Sequence, residues 1–302
     1  MFDIIGDIHG YADQLEKLLI KMEYKKSSGY YKHPKRKVIF VGDFIDRGPK
    51  IREALSIVKE MVDEGSAIVV MGNHEYNALC YHTELSKDNF IREHSKKNYE
   101  QHKETLIQFS DYQNEFDEYL DWFRTLPLQL DLGNLRVVHA CWDEENIHQL
   151  KENIIFTKDF LIELHQDKES KLYKSIDETL KGKEHTIPNG HSFKDKAGVE
   201  RFENRFKWWI DPKGKTYDEC YFEEVKELTG KEMEIDWVNN TWIYAETASP
   251  VFCGHYWLKD NEPKIQSKNV VCVDYSVAKN NILSAYRWSG EKELKSENFV
   301  WV

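Results

Sequence analysis

In Gly42-Asp43-Phe44-Ile45-Asp46-Arg47-Gly48, two carboxylates and a guanidinium follow directly on the apolar run Val38-Ile39-Phe40-Val41. The run reads as a buried strand, and the flanking glycines allow a sharp turn and close approach to a ligand. Asp43 is thereby placed to bridge two metal ions, and Arg47 to grip a phosphoryl oxygen by its planar fork. Alone, the string could equally be a helix-capping turn with a surface ion pair. It has companions. Gly6-Asp7-Ile8-His9-Gly10 follows Phe2-Asp3-Ile4-Ile5, and Gly72-Asn73-His74-Glu75 follows Ala67-Ile68-Val69-Val70-Met71. Val137-Val138-His139-Ala140 and Val251-Phe252-Cys253-Gly254-His255 repeat the arrangement further on. In open α/β sheets such strand ends are where ligand groups converge. Carboxylate, amide and imidazole donors in one set suit Mn, Fe, Zn or Ni.

The strings G-D-x-H-G, G-D-x-x-D-R-G and G-N-H-E, in this order, resemble the signature of the calcineurin-like metallophosphoesterases. Within them the chain is similar to the phosphoprotein phosphatase and diadenosine tetraphosphatase branch, over about residues 1–82, 125–143 and 248–290. The resemblance implies an α/β sandwich of two mixed β-sheets flanked by helices, with helical insertions. It also implies a hydrolase with two divalent metal ions, manganese first and Fe, Zn or Ni as alternatives. Asp7, His9 and Asp43 resemble one metal's set, and Asp43, Asn73, His139 and His255 the other's. Two such ions, about 3.5–4 Å apart, can hold a bridging hydroxide and clamp phosphoryl oxygens through an in-line attack. In the family the histidine matching His74 protonates the leaving oxygen, with Asp46 orienting it. Many members end in G-H-x-H; here Gly254-His255-Tyr256-Trp257 puts Trp257 at the last position, as the phosphoprotein phosphatase branch also lacks that ligand. His33, His82, His148, His165 and His185 read as core or surface histidines, and His191 as a loop histidine.

These residues need strands and helices to place them. Leu15, Leu18, Leu19 and Met22 recur at helical spacing, predicting a helix over residues 11–24; Ala54, Leu55, Val58 and Met61 predict another over 49–64. The resulting β-α-β-α-β run implies parallel strands with right-handed crossovers. Residues 25–36 read as a surface connection. The stretch 75–123 lacks glycine and proline and reads as helical, its aromatics packed on the core; a sharper alternative is a lid from which Arg92, His94, Lys97 or His102 reaches substrate. Strands return near 128–132, 250–253, 270–275 and 282–288, and helices are predicted at 157–166 and 169–181. The whole reads as one domain over 1–302, with a helical insertion at 77–124 and an insertion or cap segment at 144–247.

The chain has 302 residues, 40% of them hydrophobic and 31% charged, with a formal net charge of −11. A negative mean hydropathy of −0.68 fits a soluble protein. The acidic balance argues against a nucleic-acid-coating protein, which needs a basic surface. No apolar run approaches membrane-spanning length, and a motif beginning at residue 6 leaves no room for a signal peptide. Cys80, Cys141, Cys220, Cys253 and Cys272 are scattered and odd in number, arguing against a disulfide framework and for a reducing cytoplasm.

Two substrates compete for a dimetal phosphoesterase. A serine/threonine phosphoprotein needs an open, shallow site; a dinucleoside polyphosphate needs a covered groove with extra cations and a base-stacking aromatic. Arg205-Phe206-Lys207-Trp208-Trp209 followed by Pro212-x-Gly214 resembles an Arg-x-Arg…Pro-x-Gly segment of the diadenosine tetraphosphatases, and Asp274-Tyr275-Ser276 their late strand end. These tilt the reading to the nucleotide side. Residues 185–215 are expected to fold back over the metal edge, with Arg205 and Lys207 on one face and Arg205 on a substrate phosphate. The alternative for Arg205 is a surface ion pair with Glu200 or Glu203. A non-catalytic phosphate-binding regulatory module is the competing class; it would have no need of Asp46 and His74 together.

Overall fold

The computed structural model describes residues 1–150, 154–194, 198–234, 243–279 and 282–302. From the N-terminus, β1 (Phe2–Ile5) leads through α1 (Ala12–Lys21) and the hairpin β2 (Lys25–Ser27) and β3 (Tyr30–Lys32) to β4 (Lys37–Phe40). Then come α2 (Ile51–Asp63), β5 (Ala67–Val69), α3 (Asn73–Tyr81), a second hairpin of β6 (Glu84–Ser86) and β7 (Asn89–Phe90), α4 (Lys96–Gln108) and α5 (Gln113–Phe123). The chain continues as β8 (Gln129–Asp131), β9 (Arg136–Val138), α6 (Glu144–Gln149), α7 (Lys158–Gln166) and α8 (Lys171–Lys181). Short strands β10 (Glu184–Thr186), β11 (Phe193–Lys194), β12 (Glu200–Arg201) and β13 (Glu203–Arg205) and the turn of helix α9 (Tyr217–Cys220) follow. The chain closes with β14 (Val251–Cys253), β15 (Val270–Cys272), β16 (Ser284–Trp288) and β17 (Phe299–Trp301).

Two mixed sheets form the centre. One is five-stranded in the order β17-β16-β1-β4-β5, and the other four-stranded in the order β15-β14-β9-β8. Strands β1, β4 and β5 run parallel, with β16 antiparallel to β1 and β17 antiparallel to β16; β9, β14 and β15 are parallel, with β8 antiparallel. Side chains alternate along each strand, and both sets are apolar. Ile4, Ile39, Val137, Phe252 and Val271 meet between the sheets. Ile5, Val38 and Phe40 turn the other way, onto Leu15 and Leu19 of α1 and Leu55 and Val58 of α2. Val138, Cys253 and Cys272 face a second outer core containing Phe206, Trp208 and Tyr256. Burial on both faces explains why these strands read as continuous apolar runs. All five cysteines are buried and free.

Two expectations need correction. Residues 25–36 are more than a surface connection: they include the β2–β3 hairpin, and Tyr31 and Arg36 are buried. Residues 75–123 are not helical throughout, because β6 and β7 interrupt them; Asp88 takes a left-handed φ of 60°, which tightens that turn.

Asp3, inside the first apolar run, is wholly buried and accepts bonds from Tyr24 Oη (2.9 Å), Arg36 Nε (2.8 Å) and Arg287 Nε (3.1 Å). It thereby ties β1 to the turn before β4 and to β16. Asp3→Ala leaves the buried Arg36 guanidinium without its carboxylate, and the expected loss is about 3–5 kcal/mol of unfolding free energy in urea. A loss below about 1 kcal/mol would show that the cluster is not a determinant of the fold.

Candidate active site

The loops leaving β1, β4, β5, β9 and β14 lie backbone against backbone. Ile8 N and His9 N donate to Asp43 O at 3.1 and 2.8 Å, Gly48 N to His9 O at 2.8 Å, and Gly254 N to His139 O at 2.8 Å. A Cβ on Gly254 would stand 2.1 Å from Asp7 Oδ1, and one on Gly72 2.2 Å from Asp43 N. These two glycines answer a close approach rather than a turn. Left-handed φ angles also gather here: His9 (47°), Asp43 (55°), Asp46 (70°), Arg47 (64°), His255 (73°) and Trp257 (52°). Each costs on the order of 1 kcal/mol and persists where surrounding contacts enforce it, typically at functional sites.

Asp43 lies at the centre. Its Oδ2 is 3.6 Å from His9 Nε2, and its Oδ1 is 3.4 Å from His139 Nε2, so the two oxygens face different histidines. The ligand atoms of Asp43, His139 and His255 all lie within 4.8 Å of one another, and so do those of His9, Asp43 and His74. Asn73 Oδ1 joins the first group, 3.0 Å from His139 Nε2 and 2.8 Å from His255 Nδ1. Asp7 belongs to neither group; its carboxylate accepts from His255 N at 3.1 Å. Burial pushes the Asp7 carboxyl well above its usual range, and the neighbouring Asp274 and Asp43 charges push it further. Divalent cations would neutralise that accumulation.

The imidazoles fit the same group. His9 Nδ1 is committed to Ile45 O at 2.9 Å, which leaves Nε2, buried and without a hydrogen-bond partner, towards Asp43. His139 Nδ1 likewise donates to Val41 O at 2.7 Å. Burial, then the neighbouring His74, depresses His9 to about 3, so it is neutral as a ligand must be. Donors that could hold a divalent ion thus lie on both sides of Asp43.

His74 stands within ligand reach but is otherwise engaged. Its Nδ1 is 2.5 Å from Asp46 Oδ2, and its Nε2 is 3.2 Å from Arg47 Nη2, a cation that disfavours a metal there. Burial alone would lower the His74 pKa; the Asp43 charge and the Asp46 hydrogen bond outweigh it, and the pKa is raised. Burial works against Asp46 as well, but hydrogen bonds from His102 and His74 hold its carboxyl far below the usual range.

Two positioning groups had escaped sequence reasoning. His102 Nδ1 and Thr105 Oγ1, on α4, donate to Asp46 Oδ1 at 2.8 and 2.6 Å, and His102 Nε2 meets His82 Nε2 at 3.2 Å. His102 is thus buried behind Asp46, not extended from a lid, and His82 is its neighbour. Of the other lid candidates, Arg92 bonds Asn77 Oδ1 at 2.8 Å and His94 lies 2.9 Å from Tyr81 O; Lys97 is exposed. The second group is Glu75, wholly buried, whose carboxylate accepts from Asp43 N and Phe44 N at 2.8 Å each and from Gly72 N at 3.0 Å. Burial, with Asp43 beside it, lifts its pKa to about 7. Its signal was the last letter of Gly-Asn-His-Glu; His102 and Thr105 carried only helical spacing of three residues.

Arg205 ends β13, paired with Glu184, and is exposed. Burial pushes the His255 pKa well down, and the charge of Arg205 lowers it further. Among the described residues no ion pair joins it to Glu200 or Glu203. Lys207 does not share its face: its Nζ donates to Glu219 O at 2.9 Å, because the extended chain ends at Phe206, where Trp208 N turns back to Phe206 O at 3.0 Å. Trp208 and Trp209 are core side chains and offer no stacking platform.

The family profile described as calcineurin-like phosphoesterase matches residues 1–272. A bis(5'-nucleosyl)-tetraphosphatase PrpE [asymmetrical] of Oceanobacillus iheyensis is 33% identical over 140 residues, 46% of this chain and 54% of that protein. A symmetrical bis(5'-nucleosyl)-tetraphosphatase of Psychromonas ingrahamii is 34% identical over 125 residues, 41% of this chain and 37% of that one. The matches thus span about half, or less, of these relatives' length. Among solved structures, a point mutant of a cold-active protein tyrosine phosphatase superposes with a TM-score of 0.52 at 17% identity, covering 97% of this chain and 80% of that one. A protein serine/threonine phosphatase from Saccharomyces cerevisiae gives 0.51 at 15%, covering 100% and 78%. At such identities the superpositions speak to the fold.

Asp43→Asn removes the one negative charge that faces both histidine groups. It is expected to lower Mn²⁺ affinity in titration calorimetry by more than about tenfold, while His74→Asn leaves it within about twofold. Comparable losses in both variants would make His74 a ligand.

Proposed function

The chain belongs to the calcineurin-like phosphoesterase family, and on that premise we propose that it is a dimetal phosphohydrolase acting on dinucleoside polyphosphates. The observation that carries this reading is the placement of the Asp46–His74 pair and Arg47 against the Asp43-centred donors. A binding module would have no use for a proton donor held at that place. The tetraphosphatase names of the relatives favour the nucleotide side.

Asp7, His9 and Asp43 would hold one ion, and Asp43, Asn73, His139 and His255 the other, with manganese the first choice. Such ions supply Lewis acidity towards the phosphoryl group and acidify water. Arg47 presents a planar fork to phosphoryl oxygens. His74 Nε2 faces Asp43 and accepts from Arg47 Nη2 at 3.2 Å; once Arg47 turns to a phosphoryl oxygen, Nε2 is free to take a proton and give it to the departing oxygen. Asp46 accepts from Nδ1 and so fixes the ring and stabilises its charged form, as carboxylate–imidazole pairs do in general acid catalysis. His102 and Thr105 keep Asp46 from rotating. Arg205 takes a further oxygen of a polyphosphate from the His255 side. Residues 77–124 and 144–247 act as insertions of a single domain, the first bracing Asp46 and the second bringing up Arg205. Free buried cysteines, with no helix among the described residues long and apolar enough to cross a membrane, favour a cytoplasmic setting.

Turnover of a chromogenic aryl phosphate, a dinucleoside tetraphosphate and a phosphopeptide, with and without Mn²⁺, tests the reading. No metal-dependent turnover of any would overturn it; preference for the phosphopeptide would move it to a serine/threonine phosphatase. His74→Asn is expected to slow turnover about 10²- to 10⁴-fold for poor leaving groups and less for p-nitrophenolate, since a good leaving group needs little protonation. Arg205→Ala should reduce dinucleoside tetraphosphate hydrolysis about tenfold or more and spare the aryl phosphate. Equal losses on both would remove Arg205 from the site.

A further inference from the structure

Trp257 carries two cations. The Arg47 guanidinium carbon lies 3.8 Å from its ring centroid, and Lys279 Nζ lies 3.5 Å from it. Two groups so nearly above the centroid would collide on one face, so they occupy opposite faces, about 7 Å apart across the indole. The inner end of the row reaches the catalytic residues: Arg47 Nη2 is 3.2 Å from His74 Nε2, and the indole ring stands 6.1 Å from the His9 ring.

The post is firmly set. Trp257 holds a left-handed φ of 52°, and its N–H donates to Asp274 Oδ2 at 2.6 Å. Asp274 is buried, and its other oxygen accepts from Ser276 N at 2.9 Å. Ser276 in turn binds the segments of both the indole and the lysine: its Oγ donates to Leu258 O at 3.1 Å, and its carbonyl accepts from Lys279 N at 2.8 Å. One short stretch after β15 therefore fixes the indole and the lysine together. With both faces covered, Trp257 is not a platform for a nucleobase.

We propose that Trp257 is the post of a two-cation subsite in which Arg47 and Lys279 take oxygens from different phosphoryl groups of one linear polyphosphate chain. This deepens the phosphohydrolase reading and rests on it for the direction of the chain, outward from the metal centre. A polyanion lying along the row meets a cation on each side of the indole. Because the indole stands between them, a single phosphoryl group on one side of the ring does not reach both. Orthophosphate and phosphomonoesters therefore use the inner cation alone, whereas triphosphates and longer chains engage both, whether inorganic or nucleoside-linked.

Calorimetric titration of the Mn²⁺-loaded protein with inorganic tripolyphosphate and with orthophosphate, at fixed free Mn²⁺, tests the subsite without requiring turnover. The wild type is expected to bind tripolyphosphate more tightly than orthophosphate. Lys279→Gln should weaken tripolyphosphate about tenfold or more and change orthophosphate less than about twofold, and Lys279→Arg should restore most of the difference. Trp257→Leu, which removes the post, should lose at least as much tripolyphosphate affinity as Lys279→Gln. Equal affinity of the wild type for the two anions, or parallel changes for both in Lys279→Gln, would overturn the subsite. Failure of the phosphohydrolase reading shows separately, as absence of turnover in the wild type.

Discussion

The open edge of the sandwich depends on how Asp43 is held. Its backbone sits in a left-handed conformation that a β-carbon disfavours, and its side chain is buried among imidazoles and other carboxylates. What keeps it there is Glu75: one carboxylate receives the N–H groups of Asp43, Phe44 and Gly72. The loops after β4 and β5 are thereby locked to each other, and Asp43 Oδ1 accepts in return from His74 N at 2.9 Å. Each loop supplies what the other lacks. The first-motif loop leans on the same place through the bonds of Ile8 N and His9 N to Asp43 O.

This mutual bracing explains how short strands can aim so many groups at one point. Strands of three or four residues are not stiff alone; here each is covered on both faces and continues straight into a loop that touches its neighbours. The glycines beside the functional residues leave space for that contact, and the strained backbone angles are its by-product. Arg47 and Trp257, which share this strain, are carried to the rim as a stacked pair.

Much of this was legible in the residues. Strand ends carrying Asp7, Asp43, Asn73, His139 and His255 stood out because two-sided burial writes itself as unbroken apolar runs. The helices on the outer face of the first sheet showed their period as Leu15, Leu18 and Leu19, or as Ala54, Leu55 and Val58. What could not be read depended on contacts between distant segments. Nothing around His102 distinguishes a histidine that bonds Asp46 from one on a solvated helix. Lys207 looked like a partner of Arg205 only while the strand was assumed to continue. The aromatic run at Phe206-Lys207-Trp208-Trp209 gave no sign of whether its rings line a groove or fill a core; they fill one. The hairpin at 84–90 was hidden because it lacks glycine and proline and takes its left-handed turn at Asp88.

The pairing of β1 with β16 bears on the order in which the molecule can be assembled. Phe2 lies opposite Trp288 and Ile5 opposite Ala285, and Gly6 N reaches Ser284 O at 3.0 Å. The first motif is made well before these partners, and its strand lacks one neighbour until residues 284–288 have left the ribosome. His255 arrives nearly as late. Such long-range closure slows folding relative to local contacts, so α1, α2 and the parallel β4–β5 pair have time to organise first. Of the two donor groups, the one around His9 and Asp43 is complete early in the chain, whereas the one that includes His139 and His255 cannot form until the late strands are in place.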